Sequence, residues 1–474
     1  MHRSIGLMIL TIPLPVAADW RVAAHAERIE PALPISMAGS MSDQIAKRIH
    51  DPIHVRAILF DNGKTSLAVA LVDSCAIPRA VMDEAKTRIE EETGITAERV
   101  IIAATHSHSC PTSTEVFQSK PDASYQEKLI EGIVTSVATT QLRLEPARIG
   151  VAKAAVPEEV FNRRWRMKPG TIPPNPFGQV DQVQMNPPVG SENLVESAGP
   201  IDSDVAIIFV HATDGEPMGM LANYALHYVG GTPSGEISAD YFGEFSRIIG
   251  DRWRPKNARR KPVALLTNGA SGDINNIHFR SRDFVAEPFG QIRRVADRVA
   301  SRSLDAVNSI SNSRGYELDS ILGAKRVEVE LGVRRPTAEE LQSAERCLSN
   351  ASGRPLQSLE EIYANETIHL NRYPKTMKLW IQTARVGSVG IVAIPCEVFV
   401  EVGLEIKKKS PFQTTIIIEL ANGYNGYLPT PAQHELGGYE TWRARSSYLH
   451  KEASVTIVKV ALGMLNELAK DAGP

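Results

Sequence analysis

Five apolar stretches of strand length in this chain each run out into reactive polar residues. RVIIAAT (99–105) is apolar through its middle and stops at His106 and His108 in ATHSHSCP. MGMLANYALH (218–227) stops at His227, and PVALLTNG (262–269) opens into Asn268, Asp273 and Asn275 of TNGASGDINN. SVGIVAIP (388–395) leads to Glu397, and TTIIIEL (414–420) leads to Tyr424 and Tyr427 of ANGYNGY. Short β-branched runs without alternation read as strands covered on both faces. In open α/β sheets, loops beyond the carboxyl ends of strands gather binding and catalytic groups. Five such ends with compatible chemistry predict one site.

The remaining patterns fill in an α/β frame. VRAILF (55–60) and SLAVALVD (66–73) flank Asp61-Asn62-Gly63-Lys64, and DVAIIFVH (204–211) is followed by Thr213-Asp214-Gly215-Glu216 before the strand ending at His227. Both read as hairpins with turn residues in place. Apolar spacing predicts helices over 80–92, 125–142, 289–307 and 399–409. Thr337 with Glu340 reads as a capping box. Residues 165–200 carry seven prolines, Pro169, Pro173, Pro174, Pro176, Pro187, Pro188 and Pro200. That stretch predicts a long loop without regular structure, a lid or an insertion.

Composition narrows the function classes. The chain has 474 residues, 43% hydrophobic and 23% charged, enough for a large core and too apolar for a disordered chain. Net charge is -3 with no basic stripe, so no nucleic-acid partner is expected. The four cysteines form no C-x-x-C pair, which excludes a zinc knuckle or thioredoxin-type motif. Arg3, an apolar run from Ile5 to Val16 and Ala17-Ala18 have the layout of a secretory signal over 1–18, with the mature chain at 19–474. No other apolar stretch approaches about 20 residues, so no transmembrane segment is expected in the mature chain. Nothing in the sequence sets an oligomeric state.

Singly, the polar residues stay ambiguous. H-x-H puts two rings on one side of an extended segment, which suits a metal, or one ligand beside a proton carrier. Two hydrogen-bonded histidines at a strand end fit the same spacing. A lone His227 is by default a satisfied core histidine. Glu397 after Pro395-Cys396 suits the start of a helix, where the dipole favours a carboxylate. Shared placement at strand ends is what favours a metal.

These segments resemble the catalytic domain of the neutral/alkaline (non-lysosomal) ceramidase family. ATHSHSCP is similar to that family's A-T-H-T-H-S-G-P, and FNRR (161–164) to its N-R signature. Asn223 to His227 and ISADYFG (237–243) fall where the family has its second histidine and an Asp-x-x-Gly segment. GASGDINN resembles G-D-V-S-P-N, IPCE resembles P-G-E, NGYNGYLPTP resembles Y-x-H-Y-x-T-x-E/P, and GGYE (437–440) resembles R-Y-E. The order is shared from about residue 20 onward. The resemblance implies a mixed β-sheet core flanked by helices with a metal site at the strand ends. It implies one zinc ion on His106, His227, Glu397 and Tyr427, with Tyr424 competing for the last place. It implies His108 as proton carrier and Arg163 on a substrate oxygen or oxyanion. The zinc would activate a water and polarise a carbonyl of a small-molecule or lipid substrate.

Three departures bear on the substrate. Asn275 takes the place of the family serine, and the following proline is missing. Cys110 and Thr112 replace glycines beside the histidines, which predicts a bulkier pocket wall. The family's C-terminal immunoglobulin-like domain is expected to be absent. The expected function is a zinc amidohydrolase on an N-acyl amide. The alternatives are a zinc hydrolase of another amide or ester, such as a modified sugar, or an exported binding protein with a retained site.

Overall fold

The computed structural model describes residues 20–281, 283–311 and 318–470. The expected export signal over 1–18 lies outside the described residues. Eight strands are β1 (Trp20–Arg28), β2 (His54–Asp61), β3 (Ser66–Val72), β4 (Val100–Ala104), β5 (Glu145–Ala155), β6 (Asp204–Ala212), β7 (Pro217–Tyr224) and β8 (Val263–Asn268). They form one mixed sheet in the order β8-β7-β6-β5-β1-β2-β3-β4. A second sheet of four strands follows the order β9 (Leu322–Gly332), β10 (Thr376–Val386), β11 (Val389–Ala393) and β12 (Thr414–Ile418).

Both expected hairpins form, β2 with β3 and β6 with β7. In the first, Asn62 Oδ1 accepts from the backbone N–H of Lys64 and Thr65 at 3.1 and 3.0 Å, and Gly63 takes φ +79°. An asparagine that bonds its own backbone and a glycine in the left-handed region are what such a turn requires.

The strands β4 and β11 are apolar at every position because both faces are covered. On β4, Val100, Ile102 and Ala104 pack against helices, while Ile101 and Ala103 face the second sheet. On β11 and β12, Ile391, Ala393, Ile416 and Ile418 face the first sheet, and Val392 and Ile417 face outward onto helices. The layers are therefore helices, sheet, sheet, helices, and the period-two alternation sorts each side chain to one of two cores. Helices α1 (Arg79–Thr93), α2 (Ala123–Leu142), α3 (Asp240–Arg252) and α4 (Gly290–Ser311) cover the large sheet. Thr337 caps α5 (Ala338–Ser349) in the expected box. After α6 (Leu359–Asn371), helices α7 (Val400–Lys409) and α8 (Ala453–Lys470) cover the small sheet. Among the described residues no helix is long and apolar enough to cross a membrane.

The large sheet is not an open parallel one. Only β3–β4 and β7–β8 pair in parallel, so its two edge strands run in opposite senses through the ladder. It curls until β8 lies against β2, β3 and β4. Residues 419–422, leaving β12, stitch the two edges together. Glu419 N–H donates to Asn268 O at 3.2 Å, Ala104 N–H to Leu420 O at 3.2 Å, and Asn422 N–H to Ile102 O at 2.8 Å. Strand ends that one open edge would keep apart are gathered by this closure.

The expectation for 165–200 is corrected in part. Arg164–Met167, Gln184–Met185 and Leu194–Ser197 pair as a small three-stranded sheet. The prolines sit between or just after those strands, where no ladder N–H is needed.

Candidate metal centre

His106 follows β4, yet the route to H-x-H convergence is not strand alternation. His106 has φ +67°, in the left-handed region. Its N–H donates to Ser74 O at 2.8 Å, which holds this turn. Three histidine rings then meet. His106 Nδ1 lies 2.6 Å from Cys75 O, His227 Nδ1 3.0 Å from Ser271 O, and His108 Nδ1 3.0 Å from Gly39 O. A carbonyl only accepts, so each Nδ1 carries a proton, and on His108 and His227 that leaves Nε2 with a lone pair. His108 Nε2 is 3.2 Å from His106 Nε2. Glu397 Oε2 is 3.3 Å from His106 Nε2 and 3.7 Å from His227 Nε2. Buried His227 Nε2 and Glu397 Oε2 have no hydrogen-bond partner among the described residues. Converging buried acceptors without donors fit a cation, and a set of two imidazoles with one carboxylate fits a catalytic rather than a closed Cys-rich site.

The second sheet supplies the carboxylate and the phenols. Glu397–Val398 pairs in parallel with Tyr427–Leu428, so register places Glu397 beside Tyr427. Tyr424 Oη donates to Glu397 Oε1 at 2.9 Å. Gly272 lets the Glu397 carbonyl approach, since a Cβ there would lie 2.6 Å from that oxygen. Arg163 is clamped by Glu440 Oε1 at 2.8 Å and Gly272 O at 2.7 Å, and its Nη2 donates to Tyr427 Oη at 3.1 Å. Arg164 takes the other Glu440 oxygen at 2.6 Å.

Burial, then the charges of His106 and Arg163, hold His108 and His227 well below the usual histidine range. Burial acts the same way on His106 but is outweighed by Cys75 and Glu397. Burial and Glu397 push the Tyr427 phenol up, and Arg163 pulls it back.

A cavity of about 400 Å³ opens on the centre. His106, His108, Arg163, Glu397, Tyr424 and Tyr427 line it, with Met41, Val116, Phe117 and Met185 as apolar wall. His227 is fully buried behind them. Asn275 does not line the cavity. Its Oδ1 accepts from Ile277 N–H at 3.0 Å and its Nδ2 donates to Asn186 Oδ1 at 2.6 Å, and Asn186 lies in the cavity wall. The bulk expected from Cys110 and Thr112 is corrected. Cys110 packs in the core under α2, Thr112 Oγ1 turns to Thr114 O at 2.7 Å, and neither lines the cavity.

The sequence reading passed over three members of the site. Cys75 follows the end of β3, so the rule that found the histidines applies to it equally. Tyr228 stacks on His108 with ring centroids 3.7 Å apart. Gly39, at φ +94°, has no room for a side chain, because a Cβ would fall 2.5 Å from His108 Cβ. No local pattern announces that glycine.

Among solved structures, the chain superposes on neutral ceramidase from Pseudomonas aeruginosa with a TM-score of 0.71 at 19% identity, covering 95% of this chain and 75% of that one. A structure described as ceramidase complexed with C2 gives a TM-score of 0.73 at 17% identity, with the same coverage, 95% and 75%. No curated protein matches. The sequence model of the family described as neutral/alkaline non-lysosomal ceramidase, N-terminal, matches residues 30–278, just over half of the chain. The protein belongs to the neutral/alkaline non-lysosomal ceramidase family and is a ceramidase-like hydrolase.

Proposed function

We propose that the protein is a zinc-dependent amidohydrolase that cleaves an N-acyl amide of a lipid or lipid-like substrate. His106, His227, Glu397 and Tyr427 hold the ion in this reading. The observation that carries it is the meeting of His106 Nε2, His227 Nε2 and Glu397 Oε2, the last two buried and without a hydrogen-bond partner among the described residues. Tyr424 is already engaged on Glu397 Oε1, which leaves Tyr427, beside Arg163, for the fourth place. Bound zinc supplies Lewis acidity toward a carbonyl oxygen and toward water.

The chain's own groups supply the rest. His108, fixed by Gly39 O and the Tyr228 stack, presents an unprotonated Nε2 to the cavity. It takes a proton during attack and returns it to the leaving amine nitrogen. Arg163, anchored by Glu440, faces the oxygen on which charge develops. The Met41, Val116, Phe117 and Met185 wall suits an acyl chain.

A second reading keeps the zinc and changes the substrate to another amide or an ester. Asn275 favours it, because a paired amide, Asn275 to Asn186, stands where the family has a serine hydroxyl. Misplacing a polar contact by about 1 Å costs about 100-fold in rate. Long-chain ceramide is therefore expected to be a poor substrate. The test is metal content with a panel of N-acyl amides, ceramide and esters, on wild type and Asn275→Ser. Amide turnover lost on chelation and regained with zinc supports the proposal. Turnover indifferent to chelation ends it, and brisk wild-type ceramide turnover ends the substrate clause.

A further inference from the structure

Behind the metal centre, and outside the cavity, sits a carboxyl that the proposed chemistry does not use. Glu419 is fully buried and stands one residue past β12, in the segment that stitches the sheet edges. Its Oε2 accepts from Val398 N–H at 2.7 Å and from Ser271 N–H at 3.2 Å. Its Oε1 lies 2.6 Å from Ser271 Oγ, which also reaches Asn268 Oδ1 at 2.9 Å. Val398 is the residue after Glu397, and Ser271 offers the carbonyl that holds His227 Nδ1. One side chain therefore grips the loop that carries Glu397 and the loop whose Ser271 carbonyl holds His227, and these are the two residues with a buried acceptor lacking a partner. Burial pushes this carboxyl up to about 8. A buried acid costs stability that a leucine at the same place would not, so its retention asks for a role.

We infer that Glu419 is a positioning residue for the metal: through Ser271 it fixes the ring of His227, and through Val398 it fixes the carboxylate of Glu397. The inference rests on the metal reading above. Without Glu419, the Val398 and Ser271 N–H groups lose their acceptor and both loops relax. The Ser271 carbonyl then turns, and the His227 lone pair leaves the centre. Outer partners of this kind typically tune metal affinity by about 10–100-fold.

What matters in this scheme is reach, not charge, and two substitutions separate them. Glu419→Gln keeps the length; its amide nitrogen can face Ser271 Oγ while its oxygen accepts from the two N–H groups. Glu419→Asp keeps the acid and is too short to span both loops. The experiment measures zinc affinity by chelator competition, and the visible spectrum of the cobalt-substituted protein, in wild type and both variants. Circular dichroism checks folding. Glu419→Gln is expected within about threefold of wild type with an unchanged cobalt band, and Glu419→Asp about 10–100-fold weaker with a shifted band. The reverse order assigns a charge effect and overturns the inference, as does wild-type affinity and spectrum in both variants. Wild-type protein that takes up no zinc defeats the metal reading itself, and that arm is independent of the variants.

Discussion

His106 and His108 stand two residues apart, yet their surroundings differ. His106 shares the centre with Glu397 Oε2 and His227, whereas His108 leans on Tyr228 at the cavity wall. His106→Ala is expected to lose the ion. His108→Ala is expected to keep it and slow turnover by about 10²–10⁴-fold. Zinc analysis beside steady-state rates checks this, and equal zinc loss in both variants shows the roles to be misassigned. The pair was legible in the sequence because H-x-H follows a buried strand. Its geometry was not, since a left-handed His106 replaces the expected extended run. Asn275 was legible as a substitution but not as a relay, because Asn186 comes from a stretch 89 residues away in sequence.

At the scale of elements, the buried strands were readable because two apolar faces leave little ambiguity about period. The small sheet at 164–197 was not, since its prolines occupy the turns and hide three short strands. The FNRR strand and the GGYE turn are joined by Glu440, fully buried between Arg163 and Arg164. Those two guanidinium groups outweigh the burial that would raise it and hold its carboxyl below the usual range. Removing one partner of a buried ion cluster leaves charge uncompensated and costs about 3–5 kcal/mol. Glu440→Gln is expected to lower the unfolding free energy by an amount of that order, seen as a lower denaturant midpoint, and to cut activity as Arg163 slackens. A midpoint equal to wild type contradicts the clamp.

For the whole molecule, a metal that binds only the folded state adds stability by mass action, about 4 kcal/mol at a thousandfold excess over Kd. Chelation is therefore expected to lower Tm and zinc to restore it; an unchanged Tm argues against a bound ion. Proton linkage acts alongside. Glu419 rises from the model-peptide value of 4.5 to about 8 in the fold, chiefly through burial. The folded state keeps a proton that the unfolded chain releases, so this contribution is present below 4.5 and is lost as pH rises toward 8. Between about pH 5 and about pH 8, metal-free Glu419→Gln is expected to lose less stability than metal-free wild type, and parallel losses contradict that. The sequence could name the strand ends but not their meeting, because which edges curl together is decided by pairings far apart in the chain. The stitch at 419–422 has one more consequence. It is flanked by Glu397 and Tyr427, so on the proposed ligand set a ribosome would have released most of the polypeptide before all four donors could meet. Metal uptake would then follow synthesis of the late strands rather than accompany that of His106 and His227.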